Sequence, residues 1–132
     1  MTDSSNSVEV QRNVDDPLTY GIIGAAQKVH RTLGPGFKES TYHKALSKEL
    51  MIKEIAFTSQ PQYQVFYEDM LCGVYQPDLV VLDTVLLELK AVSAIAPEHK
   101  AQTISYLKAS RLRVALLINF GARSLEYRRF QN

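Results

Sequence analysis

Two apolar stretches, "VLLELKAV" at 85–92 and "RVALLINF" at 113–120, bracket a segment of helical character, "PEHKAQTISYLKAS" at 97–110. This succession constrains the fold more than any other feature of the chain. The near-continuous apolar run at 113–120 is what a strand covered on both faces requires. Pro97 opens the intervening helix, and a crossover of this kind can place the later strand parallel to an earlier one. Upstream, "QYQVFY" alternates like a half-buried strand. "LCGVYQPDLVVL" then precedes "VLLELKAV" with only Asp83 and Thr84 between them, the spacing of a hairpin. Gly121 ends the run at 113–120, and "LEYRRF" follows as a short final strand.

The N-terminal part of the domain reads as two helices. In "DPLTYGIIGAAQKVHRTLG" Asp16 caps, Pro17 suits the first turn and Gly34 stops the helix, with Ile22, Ala26, Val29 and Leu33 as the apolar stripe. After the breaker "GPGF" a second helix is expected at about 38–51, with Tyr42, Leu46 and Leu50 inward and Ala45 beside them. Residues 1–15 are polar, lack aromatic residues and are expected to form a disordered tail. The predicted order from residue 16 to 132 is α-α-β-β-β-α-β-β, a single α/β domain of two or three layers.

A length of 132 residues suffices for one hydrophobic core, and 45% hydrophobic against 22% charged residues places the chain with globular proteins. No apolar run approaches the roughly 20 residues of a membrane span. The N-terminus lacks the basic start and apolar centre of a secretory signal. Cys72 is the lone cysteine, which excludes an internal disulfide and a cysteine-cluster zinc site and fits a reducing cytoplasm. The net charge is +1, but residues 1–16 carry −3 and residues 100–132 carry +6. A basic last third suits either a polyanion or plain solvation.

Four charges fall where the apolar pattern does not want them. Glu88 and Lys90 interrupt a strand two residues apart, so both face one side of the sheet. Asp78 follows Pro77, which cannot donate to a ladder and so distorts the strand or puts it at an edge. Glu39 lies three residues before Tyr42, on the inward stripe; alternatively it is a first-turn acid complementing the helix dipole. A two-residue loop at 83–84 would place Asp78 opposite Leu89 and turn Glu88 to the other face. A three-residue loop or a bulge near Pro77 would bring Asp78 and Glu88 together. Carboxylates converging in this way hold Mg²⁺ or Mn²⁺, and a neighbouring lysine orients a water or offsets developing charge, a set suited to phosphoryl chemistry. The bland alternative is an outward Glu–Lys pair on an exposed strand. Gln102 and Tyr106, four apart, share a face of the following helix.

"PDLVVLDTVLLELK" resembles the signature of the PD-(D/E)XK nuclease superfamily, with Pro77-Asp78 followed by Glu88-Leu89-Lys90. "QTISY", Gln102 to Tyr106, is similar to the QxxxY element of its RecB-type branch, and "GFKESTY", Gly36 to Tyr42, to the GxxExxY motif of a family of small prokaryotic proteins in that superfamily. The likeness spans about residues 17–130. It implies a restriction-endonuclease-like αβββαβ core, a mixed central sheet flanked by helices. It also implies a nuclease that hydrolyses phosphodiester bonds of nucleic acid, foremost DNA, with Mg²⁺ or Mn²⁺. Asp78 and Glu88 would be metal ligands, the Leu89 carbonyl a third, and Glu39 a further contributor, directly or through water. Lys90 would position or activate the attacking water. Gln102 and Tyr106 would support the site or touch the nucleic-acid backbone. The resemblance leaves a homodimer open, because such small nucleases often need a second active site to cut both strands. The competing expectation is a catalytically silent nucleic-acid- or protein-binding module that keeps the fold.

The remaining reactive residues fit plainer roles. His30, His43 and His99 lack metal-ligand spacing; His30 suits a helix end, and His99 begins the helix that bears Gln102. Cys72 beside Gly73 reads as a small strand residue. "GPG" lacks the lysine and hydroxyl of a phosphate loop.

Overall fold

The parallel crossover implied by the apolar runs is the centre of the architecture. The computed structural model describes residues 8–10 and 16–132. In chain order the elements are β1 (Val8–Val10), α1 (Pro17–Leu33), α2 (Glu39–Ile52), β2 (Phe57–Ser59), β3 (Tyr63–Tyr67), β4 (Met70–Tyr75), β5 (Leu79–Val81), β6 (Val85–Lys90), α3 (Pro97–Ser110), β7 (Val114–Asn119) and β8 (Glu126–Gln131). A mixed sheet runs β1-β8-β7-β6-β5-β2. Its β6–β7 pair is parallel, joined through α3, and its other neighbours are antiparallel.

Each face of the sheet has its own core. Val85, Leu87 and Leu89 of β6 point to the side covered by α1 and α2, where Ile22, Tyr42, Leu46 and Leu50 are fully buried. Leu86 points the other way, toward Leu107 of α3, with Ala115, Leu117 and Phe130. The period of two therefore sends Glu88 and Lys90 to the α3 side. All six residues of β7 are buried, as its unbroken apolar sequence requires.

The caps form as expected on α1. Asp16 Oδ1 accepts from the Leu18 and Thr19 amides, and Gly34 ends the helix at φ 71°. Between α1 and α2, Gly36 adopts φ 119°, a conformation that favours glycine. The Tyr42 hydroxyl closes this breaker, donating to Gly34 O at 2.6 Å and accepting from the Phe37 amide. Its ring stacks on Phe120 at 4.7 Å, which fixes the start of α2 against the end of β7.

Three expectations change. The stretch "LCGVYQPDLVVL" is not one strand. It divides into β4, which pairs with β3 in a separate two-stranded sheet, and β5, which pairs with β6 and with β2, an element the sequence pattern did not indicate. The break falls at Gln76–Asp78, where Pro77 has no amide to continue a ladder. Second, Val8–Val10 is a strand rather than part of a disordered tail; it pairs with β8, and Glu9 bridges Lys100 and Arg128. The rest of that expected tail lies outside the described residues. Third, the basic last third is partly neutralised. Besides those two bridges, the buried Arg129 donates to Asp16 Oδ2 at 3.0 Å. Burial raises the Asp16 carboxyl, but the Thr19 hydroxyl and amide together with that arginine outweigh it and hold the acid below its ordinary range.

Candidate active site

The β5–β6 connection sets the site. It is a three-residue turn, Leu82-Asp83-Thr84, with Leu82 and Asp83 at φ 50° and 49°. The resulting register pairs Leu79 with Leu87, Val80 with Leu86 and Val81 with Val85. Continued by one residue it sets Asp78 across from Glu88, so the loop length supplies the shift that a carboxylate pair needs. Asp78 has left the ladder there. Its amide donates to Glu88 Oε2 at 3.3 Å, and its own Oδ2 accepts from the Leu89 amide at 2.7 Å. Its carbonyl accepts from the Gln60 amide and from His43 Nε2, each at 3.0 Å.

Burial loads this pair electrostatically. Glu88 is 5% exposed, and burial, reinforced by the Asp78 carboxylate, pushes its carboxyl up to about 8 against the pull of Lys90. Burial also raises Asp78, opposed by the Leu89 amide, His43 and Lys90. A buried acid and a half-buried one this close resist joint ionisation unless a cation joins them.

Lys90 shares the face of Glu88 and is held from α3. Its Nζ donates to Gln102 Oε1 at 3.2 Å, and Gln102 Nε2 donates to the Tyr106 hydroxyl at 3.2 Å. The Tyr106 phenol is raised by burial and by the charge of Glu88. Behind it, Tyr75 of β4 stacks on Tyr106 at 4.2 Å and donates its hydroxyl to the Tyr106 carbonyl. The β3–β4 hairpin thus braces the helix that holds Lys90.

The chain after Lys90 is fixed from β7. The Phe120 amide donates to Lys90 O at 2.8 Å. Asn119, fully buried, accepts from the Val92 and Gly121 amides and donates to Val92 O and Glu126 Oε1. That uses its full amide capacity.

The structure brings Asp78, Glu88, Lys90, Gln102 and Tyr106 together. Glu39 differs from its expected place. It is the exposed first residue of α2, beyond the buried Tyr42, and reaches the site only as a charge that raises Glu88. Among the described residues, no three His, Cys, Asp or Glu side chains gather closely enough to hold a metal ion. Leu89 meets Asp78 through its amide. Sequence reasoning missed His43, although its place four residues after Glu39 puts both on one helix face. It also missed Tyr75 and Asn119, for which no local signal exists. His99 Nδ1 accepts from the Ala96 amide at the start of α3, and His30 Nε2 donates to Ala122 O, so both have structural partners.

A mixed sheet between helices, with an acid and a lysine on its central strand β6 and a second acid just before the neighbouring β5, defines a restriction-endonuclease-like α/β fold. The family description "PD-(D/E)XK nuclease superfamily" matches residues 16–130, and the chain belongs to that superfamily. Among solved structures it is similar to an alkaline exonuclease from Laribacter hongkongensis, at 12% identity and a TM-score of 0.52, over 92% of this chain and 72% of that one. At that identity the likeness speaks for the fold. No curated protein matches the chain. Among the described residues, no helix is long and apolar enough to cross a membrane.

Proposed function

We propose that this protein is a metal-dependent nuclease hydrolysing phosphodiester bonds of nucleic acid, foremost DNA, and that it belongs to the GxxExxY group and the RecB-type branch of its superfamily. The observation that carries the reading is the pairing of Asp78, the residue just before β5, with Glu88 of the buried strand β6, beside Lys90. The donor set suits a hard divalent cation. Its ligands are carboxylate oxygens, and burial leaves two acids whose repulsion a cation would discharge. Asp78 and Glu88 would hold Mg²⁺ or Mn²⁺, with the Leu89 carbonyl as third protein ligand and Glu39 acting from the outer edge. When bound, the ion polarises the scissile phosphate and acidifies water.

The chain's own residues do the rest. Lys90 presents an ammonium that orients the attacking water and offsets charge building on the phosphate. Gln102 limits its swing, and Tyr106 limits that of Gln102. Tyr106 and Gln102 would support the site or touch the nucleic-acid backbone. We place the protein in the reducing cytoplasm, in keeping with its lone free thiol, Cys72. A homodimer would bring two such sites to a duplex.

The test is cleavage of single- and double-stranded DNA and of RNA with Mg²⁺ or Mn²⁺. Glu88→Ala and Lys90→Ala are expected to abolish it with the fold intact. A wild-type protein that cuts none of these would overturn the enzyme reading. The second reading, a non-cleaving nucleic-acid- or protein-binding module, is favoured by the meeting of only two carboxylates among the described residues. It requires binding that is indifferent to Mg²⁺ and to Asp78→Asn.

A further inference from the structure

We propose that His43 is a positioning residue for Asp78, holding the acid's main chain so that its carboxylate stays across from Glu88. The inference rests on the metal-dependent reading only for its catalytic consequence; the positioning itself is a statement about the fold. Asp78 stands outside the regular β5–β6 ladder, which begins at Leu79. Pro77 before it contributes no amide. The Leu89 amide goes to the Asp78 side chain instead of its backbone. Besides its amide, which donates to Glu88 Oε2 at 3.3 Å, the Asp78 main chain is held by its carbonyl, through the Gln60 amide on one side and the His43 Nε2 proton on the other, each at 3.0 Å. A carbonyl has two lone pairs and accepts both.

His43 is well placed for this task. It is half-buried on α2, whose neighbouring residue Tyr42 is locked against Phe120 and the Gly34 turn. The ring therefore projects from a rigid support, and Ser59 Oγ lies 3.3 Å from the same nitrogen. Its donor links the helix layer to the strand that carries the acid, 35 residues away in sequence. Losing the donor would leave the Asp78 carbonyl with the Gln60 amide as its one partner and the Asp78 amide with its 3.3 Å bond to Glu88 Oε2, and so free the carboxylate to tilt away from the Leu89 amide.

The experiment uses the full chain and three variants. His43→Phe keeps a ring and removes the donor. His43→Gln returns an N–H near the position of Nε2. His43→Met serves as the donor-free variant where a phenyl ring prevents folding. The first readout is hydrogen exchange of the Leu89 amide in metal-free protein. The donor-free variant is expected to exchange about tenfold faster at Leu89, with Leu117 and Ile118 unchanged, and His43→Gln to return most of that protection. The second readout is cleavage, where kcat should fall with KM for nucleic acid unchanged. Leu89 protection equal to wild type in the donor-free variant, or equally lost in His43→Gln, overturns the proposal. A wild-type protein that cleaves nothing overturns the nuclease reading and leaves the exchange test standing.

Discussion

The Leu89 amide donates to Asp78 Oδ2 at 2.7 Å, so the acid completes the hydrogen bonding of the strand that carries Glu88 and Lys90. The two halves of the Pro-Asp…Glu-x-Lys pattern are thus one hydrogen-bonded unit. Side chain and ladder are coupled, and loss of the acid has both a chemical and a structural effect.

Asp78→Ala should therefore cost stability as well as activity. It leaves a buried amide without its acceptor, worth about 1–3 kcal/mol. Asp78→Asn retains an oxygen for the Leu89 amide, so it should lose cleavage at a much smaller cost in stability. Urea denaturation of both variants beside a cleavage assay checks this. Equal destabilisation by the two would show that the Leu89 bond is not what the acid contributes.

Much of this unit was legible in the sequence, because its signals are local. The apolar runs at 85–92 and 113–120 with a helix between them fix the parallel β6–β7 pair, and alternation alone places Glu88 and Lys90 on one face. A two-residue loop would set Asp78 opposite Leu89, and the three-residue turn sets it across from Glu88. The separate β3–β4 hairpin was not legible, since its alternation reads the same whether it joins the main sheet or stands apart. Glu39 shares a helical spacing with Tyr42, but spacing does not reveal that the first residue of α2 lies beyond any covering layer. For His43 the shared helix face with Glu39 was the one local signal, and its partner, a main-chain carbonyl distant in sequence, leaves none. Val8–Val10 is too short for a periodic signal and is held by a pairing with the other end of the chain.

The raised Glu88 carboxyl predicts an inverted pH dependence for the metal-free protein. Its ordinary value is 4.5, and in the folded state it is about 8. Between the two the folded state keeps a proton that the unfolded chain has released, so the unfolding free energy falls as pH rises. The raised Asp78 adds in the same direction. The loss should be on the order of a few kcal/mol across that window. Chemical denaturation with a chelator at about pH 5 and about pH 8 measures it. Glu88→Gln should flatten the dependence and stabilise the metal-free protein at the higher pH. Added Mn²⁺ should stabilise wild type more as pH rises, because the ion competes with the proton. A flat wild-type profile would contradict the buried, repelled state of this acid.

Lys90 is held by Gln102, whose other end is held by Tyr106, so Gln102 should matter more than Tyr106. Gln102→Ala is expected to lower single-turnover cleavage about 10- to 100-fold through misplacement of the ammonium, with Mn²⁺ affinity unchanged. Tyr106→Phe removes one acceptor but keeps the ring stacked on Tyr75, and its effect should be smaller. If Gln102→Ala instead weakens Mn²⁺ binding, the glutamine acts on the acids and not on the lysine.

The last constraint on Lys90 comes from behind it. A Cβ at Gly121 would lie 2.4 Å from both Val92 N and Val92 O, and 2.6 Å from Ala91 C. These are backbone atoms that cannot rotate away, so Gly121→Ala must move the chain that follows Lys90. The same movement would strain the Asn119 bonds to Val92 and the Phe120 amide bond to Lys90 O. The expected cost is about 1–3 kcal/mol, seen as a lower urea midpoint at unchanged slope. Cleavage should fall further than the folded fraction accounts for, because the displaced segment begins at the lysine. An alanine variant with wild-type stability and activity would mean that the loop after β6 is free to shift without disturbing Lys90.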